Sequence, residues 1–345
     1  MIPPRPPHRA LGSELRSLWV GTRLSRRLAR AARTGASVVV GPWHSEVGFE
    51  LLYWIPFVNR LLADHSLGPA QVTAVSRGGA GAWYAQVAGR YLDILDCRSI
   101  DELRALYAAK VDALAGQKQL GAIPEDERIL ADLLGPDAGE TVVVHPSDMY
   151  GLFRGFWAGH LPVNFIERRT LSRPLAPPPL PETIRLPDRF VAVKAYFSDC
   201  LPQTPENQEF VSNLVASAAQ VTDVVLLDTG LAVDDHTDVD PGTGGSVITV
   251  RDAMTPRDNL AVQTAIIARA QATLGTYGGF SYLGPFLGVP SLSFYSDDNF
   301  DHRHLDVMDR VGRSLAEAGI EAPFLAMRTT ALHSLNALRE LVATA

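Results

Sequence analysis

Apolar residues in this chain follow two rhythms that take turns. Short β-branched runs such as "SVVVG" (37–41), "QVTAVSR" (71–77) and "TVVVHP" (141–146) read as buried strands. Between them, "EVGFELLYWIPFVNRLLADH" (46–65) repeats its apolar side chains at helical spacing. "GGAGAWYAQVAGRY" runs a glycine loop into a helix, and "YLDILD" supplies another short strand. Charged amphipathic segments around 101–116 and 125–135 complete the first half. Such alternation predicts a parallel sheet with helices on both faces.

The rhythm stops at "SRPLAPPPLPETIRLPD" (172–188), where closely spaced prolines remove backbone donors and rule out a regular element. It resumes with "FVAVKAY" (190–196) and "DVVLLD" (223–228), separated by the helical "PENQEFVSNLVASAAQ". "VITV", "ATLGTY" and "SLSFYS" follow, with "NLAVQTAIIARAQ" as a helix before the second of them. The expected fold class is α/β: two tandem doubly wound Rossmann-like domains facing across a cleft, with ligands beyond the carboxyl ends of the strands. The expected boundaries are an arm at 1–34, a first domain at 35–171, a linker at 172–189, a second domain at 190–320 and a helical tail at 321–345.

Charge divides the chain unevenly. Residues 1–34 hold eight arginines against Glu14, a local charge of +7, which leaves −14 on the rest of a chain whose net charge is −7. So acidic a body excludes a general nucleic-acid binder. In "LGSELRSLWVGTRLSRRLARAART" the arginines gather within roughly a 120° helical arc and leucines occupy much of the other side. Two readings stay open: contact with an anionic membrane surface, or a terminal helix that docks its leucines on the protein body. No apolar run reaches the roughly 18 residues of a membrane span. The N-terminus carries no uncharged secretory core, and Cys97 and Cys200 read as isolated reduced thiols. The expected location is the cytoplasm, peripheral to the inner face of the cell membrane if the arm binds lipid.

Candidate chemistry centres on "TYGG" (276–279), a glycine doublet that ends a strand and opens a helix. Free N–H groups and the positive end of a helix dipole suit a phosphate there, with Tyr277, Gly278, Gly279 and the Ser281 hydroxyl around it. Close helix–strand packing asks for glycine equally. "IIARAQATLGTYGGFSYLGPFLGVPSLSFYS" (266–296) resembles the donor-binding region of GT-B glycosyltransferases. The eight-residue interval between the doublet and "GVP" is closest to the heptosyltransferase-like group. The resemblance implies a nucleoside-diphosphate sugar as co-substrate, no other cofactor, no metal, and a glycan or glycolipid acceptor. Retaining enzymes of the fold place paired glutamates in this stretch. None stands between Tyr277 and Ser296, so an inverting transferase with a single base is expected.

Lys194 ends an otherwise apolar strand, where relatives place a cation against the donor phosphates; a lysine that snorkels to solvent is the plain alternative. Asp228, Thr229 and Arg251 end further strands and are candidates for base or ribose contacts. On the acceptor side, "GPWHSEVGFE" (41–50) offers the base candidates Glu46, His44 and Glu50, in that order, and Trp43 as a sugar-stacking ring. Arg77 in "SRGGAGAWY" and Arg154 in "SDMYGLFRGFWAGH" are further acceptor candidates. "SDDNFDHRH" (296–304) has ligand-type residues, but a loop after a strand fits donor contacts or a solvated helix start better than a metal. Three functional readings remain: sugar transfer in polysaccharide biosynthesis, a pyruvyltransferase-like or epimerase-like enzyme on the same fold, and a non-catalytic sugar-nucleotide-binding or membrane-peripheral scaffold.

Overall fold

A computed structural model describes residues 7–113, 122–136, 139–230, 237–239 and 245–332. They fall into two compact units: one within 1–45, 52–172 and 303–310, the other within 46–51, 173–302 and 311–345.

The first unit is built on a four-stranded parallel sheet of β1 (Ser37–Val40), β2 (Val72–Ser76), β3 (Arg90–Asp93) and β4 (Thr141–Val144), in the order β3-β2-β1-β4. Three consecutive valines make β1 apolar on both faces, as a covered central strand requires. One face packs Val39, Val75 and Ile94 against Leu103 of α5 (Ile100–Ala113) and against Ile129 and Leu130 of α6 (Pro124–Leu134). α1 (Pro7–Thr34) lies along α7 (Pro146–Trp157), burying Leu24, Leu28 and Ala31. Each buried leucine contributes about 2 kcal/mol. Burial of Leu24 and Leu28 is the leucine docking expected of the basic helix.

The second unit carries six parallel strands: β5 (Phe190–Lys194), β7 (Asp223–Leu226), β9 (Val247–Thr249), β10 (Ala272–Thr276), β11 (Ser291–Tyr295) and β12 (Phe324–Arg328). A two-stranded antiparallel ribbon, β6 (Tyr196–Phe197) with β8 (Thr237–Asp238), adjoins it in sequence. The six-stranded order β12-β11-β10-β5-β7-β9 is the doubly wound order, the chain starting at the centre, filling one side and then the other. Its direction reverses between β5 and β10. Both units are thus Rossmann-like.

The tail is not all helix. α12 (Arg303–Glu317) ends at a turn, and Phe324–Arg328 then adds the edge strand β12. "FLAMR" has no β-branched residue and is only half-buried, so its strand character comes from pairing with β11. Residues 333–345 of the expected tail lie outside the described residues. Residues 173–189 contain no helix or strand.

Candidate functional site

In the second unit, β5 and β10 end side by side at the reversal point, where open α/β sheets bind ligands. β5 contributes Lys194. β10 leads through Tyr277 and Gly278 into α11 (Gly279–Phe286). The backbone N–H groups of Gly279 and Phe280 have no hydrogen-bond partner among the described residues. They form the positive end of that helix. The Lys194 ammonium lies 5.6 Å from the Phe280 ring. Lys194, Gly275, Phe280 and Ser281 line one small cavity.

Two features correct the expected phosphate cradle. First, the doublet is closely covered. A Cβ on Gly278 would fall on the Tyr196 hydroxyl, and one on Gly279 would lie 2.5 Å from the backbone nitrogen of Gly48. Gly278 also has φ +154°, which side chains rarely adopt. The glycines are required by packing, whatever else they do. Second, Lys194 is already paired: its Nζ donates to Asp238 Oδ1 at 2.7 Å and to the Leu227 carbonyl at 3.0 Å. An ammonium has three donors, so one remains. Asp238 also accepts from the Thr229 amide at 2.9 Å, tying the expected ribose contact to the same carboxylate.

The other donor candidates are likewise engaged. The buried Ser281 hydroxyl donates to the Gly278 carbonyl at 2.6 Å and accepts from the Gly278 amide at 3.3 Å, so it is engaged by the residue that opens its own helix. Tyr277 is buried, accepts from the Tyr282 hydroxyl at 2.9 Å and packs on Phe300 at 4.3 Å; burial pushes its phenol well above the usual range. Asp228 and Arg251 pair with each other at 2.6 Å beyond the ends of β7 and β9.

In the first unit, the segment after β1 is held at several points. Gly41 N donates to the Val144 carbonyl, Trp43 N to the Val75 carbonyl, and the Arg77 guanidinium to the Ser45 carbonyl. His44 Nε2 sits 2.6 Å from Asp126 Oδ1, and His145 Nε2 sits 3.2 Å from Asp126 Oδ2. The same carboxylate accepts from the Ile123 amide at 2.9 Å. Asp126 and the His44 ring are almost wholly enclosed, with side-chain exposures of 2% and 3%.

These contacts sort the acceptor-side candidates. Trp43, 1% exposed, stacks on Trp54 at 5.7 Å and Tyr150 at 6.1 Å, so it is core and offers no face to a sugar. Arg77 is buried and orders the loop. Arg154 is exposed on α7. Glu50, wholly buried at the start of a π-helical turn (Glu50–Trp54), is out of an acceptor's reach. Glu46, half-buried, precedes the helical run that begins at Val47 and makes no side-chain cap bond there. It lies two residues from Gly48, whose Cα–N backbone rests on the glycine doublet.

Asp126, His145, Asp238 and Tyr196 are the residues sequence reasoning missed. Asp126 meets His44 across 82 residues and Asp238 meets Lys194 across 44. Only the lysine's placement in an apolar strand signals that an anion must be near.

No protein-family model matches the chain, and no curated protein matches its sequence. Several solved structures are similar. The glycosyl transferase family 9 protein from Veillonella parvula is 12% identical over 90% of this chain and 97% of that one, with a TM-score of 0.45. The E. coli ADP-heptose lps heptosyltransferase II is 13% identical over 82% and 99%, with a TM-score of 0.41. SnogD from Streptomyces nogalater is 17% identical over 90% of each chain, with a TM-score of 0.36. All three are glycosyltransferases by name. At these TM-scores the likeness is loose, and the Rossmann-like description rests on the strand orders themselves.

Within 296–304, Asp298 pairs with Arg328, Phe300 packs on Tyr277, and His304 Nδ1 meets the Tyr53 hydroxyl at 2.6 Å. Among the described residues no three His, Cys, Asp or Glu side chains are placed to share an ion.

Proposed function

We propose that this protein is an inverting glycosyltransferase that takes a sugar from a nucleoside-diphosphate donor and passes it to a hydroxyl of a glycan or glycolipid. One observation carries the reading. At the reversal point of a doubly wound sheet, a lysine at the end of β5 shares a cavity with the first turn of the helix after β10. A diphosphate would take the remaining Lys194 donor and the N–H group of Phe280, with Asp238 competing for the same ammonium. Glu46 would accept the proton of the acceptor hydroxyl as that oxygen attacks the anomeric carbon. The bond from that carbon to the diphosphate breaks, and its charge is taken up at the lysine and the helix end.

A second reading is binding without transfer. It is favoured by the burial of Glu50 and the pairing of His44 with Asp126, which leave Glu46 as the remaining base candidate. A melting-shift panel of nucleoside diphosphates and phosphoenolpyruvate, followed by a transfer assay, tests both. Stabilisation by a nucleoside diphosphate with turnover supports the first reading, and stabilisation without turnover supports the second. Stabilisation by phosphoenolpyruvate alone would move the protein to pyruvyl transfer.

A further inference from the structure

Docking fixes the orientation of α1. Leu24 and Leu28 are buried on the packed face of α1, so the opposite face looks outward along Trp19, Arg23, Arg26, Arg30 and Arg33, at alternating steps of four and three residues. All five side chains are exposed, and Trp19 is 64% exposed, the most exposed large apolar residue described. Arg23 lies over the Trp19 ring at 5.7 Å. Arg30 pairs with Glu140, whereas Arg26 and Arg33 have no acidic partner among the described residues. No carboxylate occurs in the sequence between Glu14 and Glu46.

From this stripe we infer that the outer face of α1 docks on an anionic lipid bilayer. A row of arginines suits a plane of phosphate headgroups, since each guanidinium can chelate phosphate oxygens in two-point fashion. Trp19 fits the same surface. An amphipathic ring on the charged face costs exposure in water and gains burial at the headgroup boundary. The acidic remainder of the chain opposes wrapping by a polyanion, which disfavours a nucleic acid on this face. No described helix is long and apolar enough to cross a membrane, so contact is superficial and driven mainly by charge.

The test is sedimentation of the full chain with phosphatidylcholine vesicles, with and without one-third phosphatidylglycerol. The wild type pellets with the anionic vesicles alone, and raised salt releases it. Replacing Arg23, Arg26 and Arg33 together by glutamate weakens binding roughly a hundredfold or more, at about fivefold per basic residue lost near an anionic surface. Replacing the same three by lysine keeps most of it, and Trp19→Ala removes a blue shift in tryptophan emission on binding. Equal melting curves show that the exposed substitutions leave the fold intact. Equal pelleting of wild type and the glutamate variant overturns the inference. So does absence of pelleting, or arginine-dependent binding of a duplex oligonucleotide without binding of vesicles. No sugar donor is present, so the outcome is independent of the proposed transfer.

Discussion

Gly279 rests directly on Gly48: a Cβ added to Gly279 would lie 2.5 Å from the Gly48 nitrogen and 3.1 Å from the Val47 Cβ. Backbone meets backbone there, with no flexible side chain to yield. Gly279→Ala should therefore destabilise the protein by about 1–3 kcal/mol in urea unfolding, the range for overpacking. Gly278→Ala should cost as much or more, and Tyr196→Phe in the same chain should recover only part, because the backbone strain remains. Unchanged midpoints would show that the contact is not maintained in solution.

Asp126 organises the first unit's loop by serving His44, His145 and the Ile123 amide together. Asp126→Ala strands all three in a closed environment and is expected to cost about 3 kcal/mol. Asp126→Asn keeps an acceptor oxygen and should fall between. If Asp126→Ala unfolds at the wild-type urea concentration, the network is not holding the loop.

Asp93 gives a pH signature. Its carboxylate accepts from the Gly79 amide at 2.8 Å, the Leu95 amide at 2.9 Å and the Tyr91 hydroxyl at 2.9 Å, fixing the loop that carries Arg77. Burial outweighs those bonds and raises its pKa. The folded protein thus keeps this proton where the unfolded chain has released it. The resulting stability is fully present below about pH 4 and lost as pH rises through the raised folded value. Measured against Asp93→Asn, wild-type unfolding free energy should fall across that window and then level off; a rise would contradict the assignment.

Glu46→Gln separates chemistry from binding. The substitution keeps shape and removes the proton acceptor, so transfer should slow by about 10²–10⁴-fold while the donor-dependent melting shift stays unchanged. Wild-type turnover in this variant would exclude Glu46 as the base.

Much of the architecture was legible because strands covered on both faces leave a plain mark. Val38–Val40 and Val191–Val193 lie on strands paired on both sides in their sheets. β12 was not legible, since an edge strand borrows its conformation from a neighbour. For the site, sequence reasoning found Lys194 and the doublet but could not see what covers them: Asp238, Tyr196 and Gly48 arrive from elsewhere in the chain. Trp43 shows the same limit. An aromatic beside a glycine and a histidine reads as a sugar platform, and only its contacts with Trp54 and Tyr150 reveal a core residue.

The most direct measurement is calorimetric titration of a panel of nucleoside diphosphates into wild type, Lys194→Met and Asp238→Asn. At least one diphosphate should bind the wild type, at least tenfold more weakly to Lys194→Met, which loses a charge-assisted bond, and as tightly or more so to Asp238→Asn, where the competing carboxylate charge is gone. Failure of every nucleoside diphosphate to bind, or equal affinity for wild type and Lys194→Met, would contradict a donor site at the β5–β10 reversal point.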